Sequence, residues 1–157
     1  MSIAEAVAFV DHLRHSGKEV VFTNGVFDLL HPGHVRYLQA ARGEGDALIV
    51  AINSDRSVQA IKGPSRPVNR ENERAEVVGG LKCVDAVVIF DEEDPQQIVT
   101  RLQPDVLVKG ADWALDDIIG REAVEVRGGR VVRIPVAEGY STSAIIRRIR
   151  RAGVDVP

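Results

Sequence analysis

The chain has 157 residues, 45% hydrophobic and 27% charged, with 20 basic and 23 acidic side chains and a net charge of −3. That length and composition suit one globular domain with one core, and they exclude a basic nucleic-acid footprint spread over the whole chain. The single cysteine, Cys83, excludes an internal disulfide and any multi-cysteine zinc site.

The first residues, "MSIAEAVAFVDHLRHSG", have no basic start and no continuous apolar run. They read as neither a signal peptide nor a membrane span, so the expected location is the cytoplasm, with no membrane partner. Ile3, Ala6, Val7, Val10 and Leu13 recur at helical spacing and predict a helix over 3–15, ended by Gly17. "EVVFTN" (19–24) is a short apolar strand. Val35, Leu38 and Ala41 form one stripe of a helix over 33–42, followed by Gly43. "ALIVAIN" (47–53) is a continuous apolar strand of the kind a sheet covers on both faces. Residues 54–69, polar and punctuated by Gly63, Pro64 and Pro67, read as a long loop. A helix over 70–81, the strand "DAVVIF" (85–90), a helix over 95–103, the strand "DVLVKG" (105–110), a helix over 116–127 and the strand "RVVRIPV" (130–136) follow. A last helix over 141–151 turns Ile145, Ile146 and Ile149 inward. Cys83, beside a helix-to-strand junction, reads as a buried structural thiol.

Strand and helix alternate through five strands. The pattern predicts a Rossmann-like, doubly wound, mostly parallel five-stranded α/β sheet with helices on both faces and right-handed crossovers. The expected organisation is a single domain over 1–157, with an N-terminal helix in 1–17 and the core in 18–150. Ligands of such sheets bind outside the carboxyl ends of the strands, near the switch in strand order. The segments that follow each strand are therefore the candidates.

"NGVFDLLHPGHVRYL" (24–38) follows the first strand and holds His31 and His34 with Pro32 and Gly33 between them. Pro32 suits the first turn of a helix, so His31 falls at the helix mouth and His34 in its first turn. Free N–H groups and the positive end of the helix dipole make that an anion site, to which two imidazole donors are added. Two histidines one turn apart can also share a metal ion, and that reading stays open here. After the second strand come Asn53 and then Lys62 and Arg66 in the long loop; Arg74 lies on the next helix. After the fourth come Lys109, Gly110, Asp112 and Trp113. After the fifth come Gly139, Tyr140, Ser141, Thr142 and Ser143, which read either as helix caps or as a second helix-terminus anion site. Arg147, Arg148, Arg150 and Arg151 sit in the last turns of that helix, favour the negative end of its dipole and read as solvated. Two anion sites facing one cleft suit a polyphosphate. The common alternatives are missing: there is no G-x-x-x-x-G-K-[ST] loop and no G-x-S-x-G elbow, and "GEGDAL" precedes a strand instead of following one.

"TNGVFDLLHPGH" resembles the G-x-F-D-x-x-H-x-G-H signature of the cytidylyltransferase-like nucleotidyltransferases, and "YSTSAIIRRI" resembles their second signature. The likeness covers residues 18–150. Within the superfamily, "NSDRSV", "IKGPSRPVN", "PDVLVKGADW" and "EGYSTSAIIRRI" look like the heptose 1-phosphate adenylyltransferases, some of which are fused to a sugar kinase domain not found in these residues. Glycerol-phosphate cytidylyltransferases carry an arginine shortly before their Ser-Thr run, whereas "PVAEGYSTS" has none.

The resemblance implies transfer of AMP from ATP to D-glycero-β-D-manno-heptose 1-phosphate, with release of pyrophosphate. It also implies Mg²⁺ held mainly by the phosphates, with no side-chain metal ligand assigned, and a homodimer. His31, His34 and Lys62 would be catalytic. Asn24, Gly25, Phe27, His31, His34, Lys109, Asp112, Trp113, Ser141, Thr142 and Ser143 would bind the nucleotide. Asp28, Asn53, Lys62, Arg66 and Arg74 would meet the sugar phosphate. The alternatives are a sibling transferase using GTP or CTP or another acceptor such as glycerol 3-phosphate, and, more remotely, a non-catalytic nucleotide-binding module. A nucleic-acid partner is not expected, given the negative net charge and 4% aromatic content.

Overall fold

In the computed structural model, which describes residues 1–137 and 139–153, the core is one five-stranded, fully parallel sheet. The elements run α1 (Ile3–His15), β1 (Val20–Gly25), α2 (Pro32–Arg42), β2 (Ala47–Asn53), α3 (Asp55–Lys62), α4 (Glu71–Gly79), β3 (Ala86–Phe90), α5 (Gln96–Leu102), β4 (Val106–Gly110), α6 (Arg121–Glu125), β5 (Arg130–Ile134) and α7 (Thr142–Arg151). The strand order is β3-β2-β1-β4-β5. The chain moves outward from β1 in one direction, then returns to the other side of β1 for β4. The switch point lies between β1 and β4, and the crevice at their carboxyl ends is where such a sheet takes its ligand.

The period-2 alternation of the strands builds two cores. Phe22, Ile49, Ala51 and Val88 face α1, α5 and α6, where Ala6, Val10, Ile98, Leu102 and Val124 cover them. Val21, Leu48, Val50, Ile52 and Val108 face α2 and α4, where Leu38, Ala41 and Val78 cover them. Burying each large aliphatic or aromatic side chain contributes about 1.5–3 kcal/mol. Thr23, a polar residue in this core, is satisfied: its hydroxyl donates to the Val108 carbonyl at 3.0 Å and pairs with the Tyr37 hydroxyl at 2.8 Å.

Four expectations need correction. The segment 54–69 is not all loop, since Asp55–Lys62 forms α3, capped by the Ser54 hydroxyl, which accepts from the Ser57 N–H at 3.2 Å. The predicted helix over 116–127 is broken into a 3-10 turn at Leu115–Asp117 and the short α6, because Gly120 takes φ +92° hard against Val99. Ile145, Ile146 and Ile149 do not enter the core; Ile149 is 50% exposed. Cys83 is only partly buried.

Candidate active site

The Gly25–His31 loop carries the chain from β1 into α2. His31 is the helix N-cap: its Nδ1 accepts from the His34 N–H at 3.3 Å, and Pro32 opens the helix behind it. Gly33 is fixed by close approach, since a Cβ there would meet His31 Nδ1 at 3.0 Å and Tyr140 Cβ at 3.1 Å. The two imidazoles therefore stack, with centroids 3.8 Å apart and planes 16° from parallel. Phe27 lies against His34 at 5.5 Å and Tyr140 flanks His31 at 6.0 Å. Burial, and then the neighbouring His31, push His34 down to about 4; burial also lowers His31. Both imidazoles are thus neutral near pH 7. His34 Nδ1 is buried with no hydrogen-bond partner among the described residues. An orphaned buried polar atom costs about 1–3 kcal/mol, and in a cleft it marks a place where a ligand completes the bonding.

The histidine shifts predict a pH dependence of stability. Between about 6.5 and about 4 the unfolded chain binds a proton at His34 that the folded chain excludes. Stability is complete above pH 6.5 and falls as pH drops toward 4. We expect the melting temperature to decline across this window and the decline to flatten in His34→Asn. An unchanged slope in the variant would assign the effect elsewhere.

Phe27 has φ +47°, a left-handed conformation that an aromatic residue adopts only when its surroundings enforce it. The clamp is visible on both sides. Arg74, 1% exposed, donates to the Val26 carbonyl at 2.6 Å, the Asn53 carbonyl at 2.8 Å, the Asn69 carbonyl at 3.1 Å and the Asp55 carboxylate at 2.8 Å. Asp28 is buried and accepts from the Asn69 N–H, the Val68 N–H and Arg66 Nε, the last at 2.7 Å. Burial alone would raise Asp28; the Asn69 and Val68 N–H groups and the Arg66 guanidinium outweigh it and hold the carboxyl below its usual range.

The crevice holds two adjoining cavities. The first, of 280 Å³, lies beneath Trp113 and Ile119 and reaches Asn53, Glu93, Asp94 and Lys109. The second, of 460 Å³, is lined by Phe27, His31, His34, Asp112, Ser141 and Thr142. Asn24, Gly25, Val26, Tyr37 and Lys62 line both. Lys109 donates to Asn24 Oδ1 at 2.6 Å and lies 5.6 Å from the Trp113 ring; burial pushes it down to about 8. Ser141 caps α7 by accepting from the Ala144 N–H at 3.0 Å, and Thr142 donates to the Leu29 carbonyl at 3.3 Å. The Ser141 hydroxyl thus serves as the cap, the Thr142 hydroxyl ties α7 to the loop after β1, and both residues line the histidine cavity.

Most residues singled out from the sequence converge on these two cavities. Asp28, Arg66 and Arg74 do not. Of these three, expected near the sugar phosphate, Asp28 and Arg74 are buried and bonded internally, and Arg66 lines a separate outer pocket, as does Ser143, which was expected at the nucleotide. Lys62 sits at the end of α3 and not in a loop. Sequence reasoning missed Tyr37, Glu93 and Asp94, and gave Tyr140 no role of its own. Tyr37 had a usable signal, since it lies one helical turn beyond His34 on the same face of α2; burial pushes it up to about 12. "DEEDPQQ" reads as a solvated acidic turn and offered none. Among the described residues no three His, Cys, Asp or Glu side chains gather to hold a metal ion, and no helix is long and apolar enough to cross a membrane.

A parallel sheet with two helix N-termini and a pair of neutral imidazoles at its switch point has the donors that suit a polyphosphate, and the fold is that of the Rossmann-like nucleotidyltransferases. The chain belongs to the cytidylyltransferase-like family, which it matches over residues 22–148. It is 49% identical over 150 residues to the bifunctional protein HldE of Gluconobacter oxydans (strain 621H), covering 96% of this chain and 31% of that protein. With the HldE of Citrifermentans bemidjiense it shares 53% over 147 residues, covering 94% of this chain and 30% of that one. The chain thus spans about a third of the length of these relatives. Among solved structures, the lipopolysaccharide core biosynthesis protein from Thermoplasma volcanium superimposes with a TM-score of 0.67 at 31% identity, covering 78% of this chain and all of that one. The pantothenate synthetase of Thermus thermophilus, at TM-score 0.63 and 16% identity over 96% of this chain and 68% of that one, shares the fold.

Proposed function

We propose that the chain transfers the adenylyl group of ATP to D-glycero-β-D-manno-heptose 1-phosphate, giving ADP-heptose and pyrophosphate. The observation that carries the reading is the stacked His31–His34 pair facing the capped start of α7 across one cavity. About half identity to proteins named bifunctional, over a third of their length, supports it.

A phosphate oxygen of the sugar phosphate attacks the α-phosphorus of ATP. The new P–O bond forms as the bond to the bridging oxygen breaks, and that electron pair leaves on pyrophosphate. The attacking phosphate is already largely ionised near neutral pH, so no strong general base is needed. The protein's task is in-line positioning and stabilisation of phosphate charge. His31 and His34 donate hydrogen bonds to the phosphates, and α7 offers them its N-terminus at Ser141 and Thr142. Asn24, Gly25 and Phe27 line the nucleotide, with Lys109, Asp112 and Trp113 framing the nucleoside. Lys62, common to both cavities, meets phosphates of both substrates. Asn53 lies on the acceptor side.

The histidine cavity's polar side chains are imidazoles, hydroxyls, an amide, the Lys62 ammonium and one carboxylate, Asp112. That set fits a hydrated Mg²⁺ carried in on the nucleotide and held mainly by phosphate oxygens. When bound, the ion neutralises phosphate charge. The reading includes a cytoplasmic homodimer.

The test is incubation of the protein with Mg²⁺, heptose 1-phosphate or glycerol 3-phosphate, and each of ATP, GTP, CTP and UTP in turn, following pyrophosphate, identifying the product by mass and measuring nucleotide binding by calorimetry. ADP-heptose from ATP alone is the expected result. Release with another nucleotide, or only with glycerol 3-phosphate, would move the substrate assignment. Nucleotide binding without release under any pairing would remove the transferase reading.

A further inference from the structure

We propose that the cavity beneath Trp113 is an acceptor site divided by charge, in which Glu93 and Asn53 grip the hydroxyls of a sugar phosphate whose phosphate points back to Lys62. The inference rests on the transfer reading above and names the carboxylate that sets its acceptor class. At 280 Å³ the hollow falls just below the about 300–1,000 Å³ of sites that take drug-sized ligands. Its cations are Lys62 and Lys109 and its carboxylates are Glu93 and Asp94. None of the four makes an ion pair among the described residues.

Two of these charges are already engaged. Lys109 donates to Asn24 Oδ1 at 2.6 Å, and Asp94 Oδ1 accepts from the Gln96 N–H at 2.9 Å where α5 begins. Lys62 and Glu93 remain, one cation and one carboxylate on the wall of one hollow. They belong to different ends of it. Lys62 also lines the histidine cavity, whereas Glu93 does not. The positive end therefore opens on the histidines and the negative end lies away from them.

Asn53 supplies the second grip. It ends β2, is 4% exposed and lines the same hollow. Its neighbours fix which way the amide points. The Ser57 hydroxyl gives its only proton to the Glu92 carbonyl at 2.8 Å, so it accepts from Asn53 Nδ2 at 3.0 Å. Asn53 Oδ1 is left with no hydrogen-bond partner among the described residues, and so is the second Nδ2 proton. The Ser57 bridge also ties this amide to the β3–α5 loop that carries Glu93. A hydroxyl has one proton to donate and two lone pairs to accept with, which an amide can meet on both sides and a carboxylate on the donor side alone. A phosphate at that end would meet Glu93 as a like charge, so the same carboxylate that holds a sugar turns the phosphate toward Lys62. An acceptor with few hydroxyls forfeits the grip.

The probes are heptose 1-phosphate and inorganic phosphate, titrated calorimetrically into the wild type, E93Q and D91N, each with and without a non-cleavable ATP analogue. Glu93 is exposed, so its substitution does not threaten the fold; Asp91 carries the same charge in the same loop outside the cavity. E93Q is expected to bind heptose 1-phosphate about tenfold or more weakly, because hydrogen bonds to a charged group are lost. It should bind inorganic phosphate no more weakly than the wild type does, and D91N should match the wild type with both probes. In turnover, the KM for the sugar phosphate should rise in E93Q while the KM for ATP stays. Unchanged sugar-phosphate affinity in E93Q, an equal loss in D91N, or an equal loss of inorganic phosphate would overturn the assignment. So would a wild type that binds no heptose 1-phosphate under either condition. Should the wild type bind it yet release no pyrophosphate from any nucleotide, the transfer reading falls, whereas the E93Q comparison still decides whether the cavity is a sugar-phosphate site.

Discussion

Replacing His34 by Ala is expected to lower kcat by about 10²–10³-fold, the scale found when one preorganised donor to a developing phosphate or oxyanion charge is removed. Stability should barely move. The substitution removes some packing against Phe27, but it also removes the buried Nδ1 that has no partner among the described residues. His31 makes the comparison informative, because its Nδ1 caps α2 as well as facing the cavity. His31→Ala should lose activity and about 0.5–2 kcal/mol of stability together, whereas His31→Ser should restore the cap without restoring turnover. Steady-state kinetics and thermal unfolding of the three proteins separate these outcomes. Wild-type turnover in a folded His34→Ala protein would remove the histidine pair from the chemistry.

The largest effect on stability is expected at Arg74. Arg74→Ala leaves the Asp55 carboxylate and the carbonyls of Val26, Asn53 and Asn69 without their shared donor. Breaking such a buried charge network costs about 3–5 kcal/mol, equivalent in a chain of this length to a fall in melting temperature of about 10 °C. Lysine supplies one point charge in place of a planar fork, so Arg74→Lys should recover only part of the loss. Activity should fall as well, since the Val26 carbonyl precedes Phe27 and its left-handed backbone. Thermal and urea unfolding decide the matter: a melting point unchanged within about 2 °C would show that the network contributes little.

The fate of Arg74 shows where sequence reading stopped. Its partners are mostly backbone carbonyls, from residues 48, 21 and 5 positions away, and no spacing rule connects them. The sheet was legible because its strands are short apolar runs separated by helical stripes, and β2 is buried along its whole length. The histidine pair was legible because Pro32 and Gly33 leave the local chain few ways to run. α3 was missed because only Val58, Ala60 and Ile61 of its eight residues are apolar and the glycine and proline that suggested a loop begin only at Gly63, where the helix ends. Yet Ser54 with Ser57 was a cap signal within that segment. The helix over 116–127 failed for a tertiary reason, the packing of Gly120 against Val99 from α5.

The strand order carries a consequence for change. The two cavities of the crevice draw on different wings of the sheet and meet over β1. The histidine cavity draws on the connections after β1, β4 and β5, whereas Asn53, Glu93 and Asp94 arrive from β2 and β3. The two wings share a floor at Asn24–Val26 and one cation, Lys62. On the proposed transfer reading, substitutions after β2 and β3 are expected to alter acceptor choice while the histidine cavity stays as it is. On that reading the chemistry is the fixed half of the scaffold and the clientele the interchangeable one.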